Sequence, residues 1–313
     1  MRQAGRYLPE YRKIRENLSF FGLCEDVPAA VEVSIQPWRR FQPDAVILFS
    51  DILVPVRAMG LDVAIGDGGP HLAAPVRTDA DVGRLALFDP AEKTPYVLEI
   101  LRTLKRETGD KAALLGFAGA PWTLASYMVE GGGSKNFTVI KRMISKSPRT
   151  LRALLTKLSR MVAEYLSAQI EAGADAVQLF DTWAGELSPR DYREFALPYA
   201  RDAIAAVKRA GKPVIYYVNG MFPILELAAE SGADVLSIDW RGDLGSARQR
   251  VPGRAFQGNL DPALLYGDPA DVRERVAALV ASGGPGHIVN LGHGILPDTP
   301  IEGVEAFYEA VRA

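Results

Sequence analysis

Five cations crowd the first sixteen residues: Arg2, Arg6, Arg12, Lys13 and Arg15, set against Glu10 and Glu16 alone. The whole chain has a formal net charge of −2, so this basicity is local. A guanidinium fork matches a carboxylate or phosphate bidentately, and an Arg-rich cluster is what binding a polyanion needs. Gly5, in the middle of the cluster, would let backbone approach a ligand closely, and Pro9 stiffens the way out. The ordinary alternative is a solvated, basic N-terminal helix. A second set of chemistry-bearing residues is spread along the chain, each at the end of a short apolar run. Asp51 follows DAVILFS, Asp181 and Thr182 follow AVQLF, and Asn219 follows IYYV. Asp239 follows VLSI, Asn259 and Asp261 close AFQGNLD, and His293 follows IVNLG.

Those runs must be the elements that position the side chains. Residues 44–50, 112–119, 175–181, 213–220, 235–240, 255–261 and 287–294 are continuously apolar or nearly so, as expected of parallel strands buried on both faces. Helical patterns lie between them at 150–173, at 189–211 with a break at Pro198, at 270–284 and at 300–313. Gly173, Gly211 and Gly283 stand where helix C-caps would. EAGADAVQLFD (171–181) and ESGADVLSIDW (230–240) echo one another, each joining a helix end to a strand through Gly-Ala-Asp. Seven strands, with an eighth lost or truncated at the N-terminus, predict a (β/α)8 barrel forming a single domain over residues 1–313. The stretch 61–78 departs from the pattern and predicts a hairpin inserted after the second strand. In such barrels active sites form at the C-terminal ends of strands, where the polar residues above fall.

Composition narrows the function classes. Hydrophobic residues make up 48% and charged residues 24% of 313, enough for one large core. A pI near 6.0 argues against broad nucleic-acid binding. Cys24 is the single cysteine, so no internal disulfide can form, which suits a reducing cytoplasm. No apolar run approaches the roughly 20 residues of a membrane span, and the polar first residues do not resemble a signal peptide. The stretch EGGGSKN (130–136) lacks the spacing of a phosphate-binding loop, and neither G-x-G-x-x-G nor G-x-S-x-G occurs. His71, His287 and His293 form no H-E-x-x-H, so a zinc site of Cys and His ligands is not expected.

The wording of several segments is more specific than their charge. RQAGRYLPEYR (2–12) and GFAGAPWTLASYMVEGGGSKNF (116–137) resemble the two signatures of the uroporphyrinogen decarboxylase family. FSDIL (49–53), FDTWAG (180–185) and NLGHGILPDTP (290–300) match further family segments in the family's order, from end to end of the chain. The resemblance implies a cofactor-independent carboxy-lyase that converts the four acetates of uroporphyrinogen III to methyl groups, giving coproporphyrinogen III and four CO₂. It also implies a homodimer, and a leader carrying the first barrel strand ahead of Met1.

Carried onto this sequence, the resemblance places Asp51 under the macrocycle, accepting hydrogen bonds from the four pyrrole N–H groups. Residue types alone also allow Asp51 to be no more than a turn cap. Arg2, Gln3, Ala4, Gly5, Arg6 and Arg15 would hold substrate, with Arg2 nearest the reacting acetate. Tyr127, Thr182 and His293 would complete a polar wall, Thr182 standing where the family often has Ser. Phe117 and Phe180 would form an apolar floor. For Tyr127, His293, Phe117 and Phe180 an ordinary packing or loop role is the alternative. Two rival functions differ in class. A related barrel methyltransferase would use zinc through His-x-Cys, but Cys24 has no His within two residues. A non-catalytic tetrapyrrole binder would take up the porphyrinogen without releasing CO₂.

Overall fold

The computed structural model describes residues 5–66 and 68–313. The strands are β1 (Ala45–Ile47), β2 (Val63–Gly66), β3 (Gly69–Leu72), β4 (Ala113–Gly119), β5 (Ala176–Phe180), β6 (Val214–Tyr217), β7 (Val235–Ser237), β8 (Ala255–Leu260) and β9 (His287–Leu291). Seven of them form one parallel sheet in the order β1-β4-β5-β6-β7-β8-β9, with helices in the connections. Strands β2 and β3 form a separate antiparallel hairpin, Val63 facing Leu72, which is the insertion expected at 61–78.

The parallel sheet is strongly curled. Gln257 on β8 donates to Gln178 on β5 across 3.2 Å, although β6 and β7 lie between them in the sheet. Likewise the Tyr217 hydroxyl on β6 donates to the Gly292 carbonyl beyond β9, at 3.2 Å. Such chords exist only if the strands wrap around a shared interior. The edges of the sheet are β1 and β9, and among the described residues no strand joins them.

The alternation along each strand divides the interior from the helix layer. On β5, Gln178 and Phe180 point inward while Val177 and Leu179 are buried in the core beneath the helices. On β6, Tyr217 points inward, and Tyr216 reaches outward to the Tyr192 hydroxyl, 3.1 Å away on the helix Pro189–Phe195. The long amphipathic helix Pro148–Glu171 buries Leu151, Leu154, Leu155, Leu158 and Val162 along one face.

The repeated Gly-Ala-Asp joint has a physical meaning. Asp175 Oδ2 accepts the Leu114 N–H at 2.8 Å and pairs with Lys105 at 2.9 Å. Asp234 accepts the Val214 N–H at 2.9 Å and pairs with Lys208 at 2.7 Å. In both copies a lysine from a helix, the first amides of one strand and the residue before the next strand are tied together. The echo is one clamp used twice to set strand register.

The helices fall where the pattern puts them, at Pro148–Glu171, Pro269–Gly283 and Ile301–Arg312. The 189–211 segment is two helices, Pro189–Phe195 and Leu197–Lys208, separated at Ala196 just ahead of Pro198. One cap differs from expectation. Gly283 is still helical, and Gly284, at φ +59°, ends the helix. Gly283 is needed for another reason: a Cβ there would collide with the His287 ring.

Candidate active site

The strand-end residues follow the C-terminal ends of parallel strands, which puts them on one side of the curled sheet, its mouth. From β4 to β7 an unbroken line of ring contacts crosses it. Phe117 meets Phe180 edge-on at 5.7 Å, and Phe180 meets Tyr217 at 5.9 Å. Tyr217 meets His293 at 6.1 Å, and His293 meets Trp240 at 6.0 Å. Phe117 and Phe180 are therefore direct neighbours in the sheet interior.

Asp51 is half-buried beyond the end of β1. Its Oδ1 accepts the Leu53 N–H at 2.8 Å, so the turn-capping role is present. The approach to Asp51 is held from below: the buried Ser34 hydroxyl accepts the Phe49 N–H at 2.8 Å and donates to the Ala30 carbonyl at 2.6 Å. The neighbouring Cys24 thiol is buried and pushed well above the ordinary thiol range. Burial contributes most, followed by the charges of Asp51 and Glu25, with Arg57 and Arg15 opposing. Asp51 and Arg15 thus share one electrostatic neighbourhood.

The basic segment reaches both sides of the mouth. Tyr11, on the helix Pro9–Arg15, packs against Phe49 at 6.2 Å, two residues before Asp51. Arg12 donates to the Pro297 carbonyl at 3.0 Å and to the Arg6 carbonyl at 3.2 Å, tying the half-buried Arg6 to the loop after His293. Arg15 donates to the Leu18 carbonyl at the end of its own helix. Gly5 is buried with a local explanation, since a Cβ there would lie 2.5 Å from the Leu8 side chain. Arg2, Gln3 and Ala4 lie outside the described residues.

His293 is half-buried, and its Nδ1 accepts the Gly294 N–H at 2.6 Å. That bond places the proton of the neutral imidazole on Nε2, making Nε2 a donor. Gly292 allows the close fit of this loop, because a Cβ there would strike the Trp240 amide. Tyr127 is half-buried on the helix Pro121–Glu130 and packs edge-on against Trp183 at 6.0 Å. Thr182 is half-buried, directly after the fully buried Asp181.

The remaining strand-end residues are used internally. Asp261 caps the short helix Pro262–Tyr266 through the Ala263 N–H at 2.9 Å. Asn259 donates to the carbonyls of Asp239 and Gly242 at 2.9 and 2.6 Å. Asp239 and Asn219 both accept from Arg241, at 2.5 and 3.1 Å. In the 130–136 stretch, Gly132 bridges to His71 of the hairpin and Gly131 accepts the Leu72 N–H at 3.0 Å, so these glycines seat the insertion. Among the described residues no group of three or more His, Cys, Asp or Glu is placed to hold a metal ion, and no helix is long and apolar enough to cross a membrane.

The uroporphyrinogen decarboxylase (URO-D) family profile matches residues 1–313. The chain belongs to the uroporphyrinogen decarboxylase family. A uroporphyrinogen decarboxylase of Gloeobacter violaceus is 48% identical over 318 residues, which span 100% of this chain and 92% of the relative. One from Myxococcus xanthus is 47% identical over 314 residues, spanning 100% and 90%. Among solved structures, a methyltransferase from Methanosarcina mazei superposes with a TM-score of 0.82 at 21% identity, over 95% of this chain and 89% of its own. A putative vitamin-B12-independent methionine synthase from Listeria monocytogenes gives 0.64 at 13%, over 96% and 91%. At these identities the likeness is one of fold.

For a uroporphyrinogen decarboxylase mouth, sequence reasoning left two features undescribed. Trp183 packs on Tyr127 and, at 5.0 Å, on Phe137. Arg241 stacks 4.4 Å over Trp240, adding a guanidinium on the His293 side. Trp183 stands one residue beyond the strand-end position Thr182, and Arg241 stands two beyond Asp239.

Proposed function

We propose that this chain removes the four acetate carboxyls of uroporphyrinogen III as CO₂ and leaves methyl groups, giving coproporphyrinogen III, with no cofactor. A pyrrole can act as its own electron sink. Protonation of the ring carbon next to the acetate-bearing carbon gives an iminium-like cation. The bond from the acetate methylene to its carboxylate then breaks, and its electron pair quenches the cation as CO₂ departs. Protonation of the exocyclic carbon and loss of the added ring proton complete the methyl group. Each cycle consumes one proton and one carboxylate and yields one CO₂.

In this reading Asp51 accepts the inward-pointing pyrrole N–H bonds and stabilises the developing cation. The ligand's donors offset the cost of holding a carboxylate away from water. Arg2 orients the departing carboxylate, and Gln3, Ala4, Gly5, Arg6 and Arg15 bind the other acidic arms and the ring edge. An arginine, with a pKa above about 12, is a poor acid, so Arg2 acts chiefly as a positioner of charge. Tyr127, Thr182 and His293 supply hydroxyl and imidazole contacts, and Phe117 with Phe180 supports the ring face. The chain works as one domain, as a homodimer in the cytoplasm.

The observation that carries the reading is the half-buried Asp51 at a mouth that Tyr11 and Arg12 link to the basic segment on one side and to the His293 loop on the other. Anaerobic incubation with uroporphyrinogen, followed by separation of products by carboxylate number, tests it. Stepwise conversion to the four-carboxylate product is expected. Tight binding with no CO₂ release would leave the chain a tetrapyrrole binder.

A further inference from the structure

Asp181 is completely buried one residue before Thr182, and it bonds to two other elements. Its Oδ1 accepts the Thr123 hydroxyl at 2.8 Å, and its Oδ2 accepts the Tyr216 hydroxyl at 2.8 Å. Thr123 is on the helix Pro121–Glu130, four residues before Tyr127 and so one turn away on the same face. The Thr123 oxygen also accepts the Trp183 N–H at 3.1 Å, and Trp183 is the residue packed on Tyr127. Two further bonds fasten the same joint, from the Ala120 N–H to the Phe180 carbonyl at 2.8 Å and from the Trp122 indole to the Trp183 carbonyl at 3.2 Å. On the far side, Tyr216 continues to Tyr192 at 3.1 Å, and its strand neighbour Tyr217 faces Phe180 and His293.

We propose that Asp181 is a positioning residue. Through the hydroxyls of Thr123 and Tyr216 it fixes Tyr127, Thr182 and the Tyr217 face relative to one another around the substrate. The inference rests on the decarboxylase reading above. Asp181 itself touches no substrate. It holds the wall of the pocket in one geometry, so that each partly decarboxylated ring is presented in the same way as the last. A small displacement of a wall residue is enough to lower turnover strongly, because reaction needs a near-attack geometry.

The test uses Thr123→Val and Tyr216→Phe, each of which deletes one hydroxyl donor to Asp181, with Thr123→Ser as the restoring control. Each is incubated with uroporphyrinogen, and the released seven-, six- and five-carboxylate intermediates are measured against the four-carboxylate product at matched total turnover. Loss of folded enzyme scales all products together, whereas a displaced wall changes their proportions. The expected result is a kcat about tenfold or more below wild type and a share of released intermediates about threefold or more above it for Val and Phe, with Ser near wild type. Unchanged proportions in both Val and Phe variants, at any kcat, would overturn the inference. If Thr123→Val proves unfolded, Tyr216→Phe decides alone. A wild-type protein that releases no CO₂ would instead overturn the decarboxylase reading, so the two failures are distinguishable.

Discussion

At the residue scale, two aspartates at the same mouth have opposite settings. Asp51 is half-buried and caps the turn at Leu53, whereas Asp181 is sealed. Burial raises the Asp181 pKa to about 6, against the hydrogen bonds from Tyr216 and Thr123. A carboxyl whose folded pKa is raised stabilises the fold fully below its ordinary value near 4, and that contribution is lost as pH rises through about 6. Denaturant unfolding between pH 4 and 7 should therefore show wild-type stability falling by on the order of 2–3 kcal/mol from this group. Asp181→Asn should flatten that fall, since the Tyr216 hydroxyl can turn to donate to Tyr192 and accept from the new amide. An unaltered slope in Asp181→Asn would show that another group titrates. The Asp181 network was not legible in the sequence. Its partners Thr123, Tyr216 and Tyr192 come from three elements, and no spacing rule links them. Asp51 and His293 were legible because each directly follows an apolar strand.

At the element scale, the Lys–Asp clamps and the loop beyond β9 decide how well the mouth is aligned. The Asp175 and Asp234 carboxyls are partly buried, which alone would raise their pKa. The amide bonds from Leu114 and Val214 and the charges of Lys105 and Lys208 outweigh this and hold both below the usual carboxylate range. A lowered folded pKa gives stability that is present above the unfolded value and lost as pH falls through the folded one. Asp175→Asn and Asp234→Asn should each reduce the acid loss of stability below about pH 4, measured by urea midpoints at pH 3 and pH 7. Gly292→Ala should push the β9 loop off the Trp240 amide, at a cost of about 1–3 kcal/mol and with weaker turnover. A Gly292→Ala protein with wild-type melting temperature and kcat would show the contact to be slack. The seven parallel strands were readable because their sequences are mostly apolar runs, although Gln178 and Gln257 face the interior. The cap at Gly284 was not, because Gly283 serves the His287 ring rather than the helix end.

At the scale of the whole molecule, one curled sheet brings residues from Asp51 to His293 to a common rim, and the short helix Pro9–Arg15 lies across it. That arrangement suits a guest that donates hydrogen bonds inward and is acidic outward. A homodimer is expected to sediment at twice the chain mass at micromolar concentration, and a species at the chain mass alone would contradict it. The order of strands and the insertion at β2 and β3 followed from pattern. The ring line from Phe117 to Trp240 did not, because it depends on which face of each strand turns inward.

The most direct measurement of the central claim is anaerobic CO₂ release from uroporphyrinogen by wild type and by Asp51→Asn, which keeps shape and removes the anion. If one carboxylate stabilises the pyrrole cation, the variant should lose about 10²–10³ in kcat while still folding with the wild-type melting profile. Wild-type turnover by Asp51→Asn would contradict it.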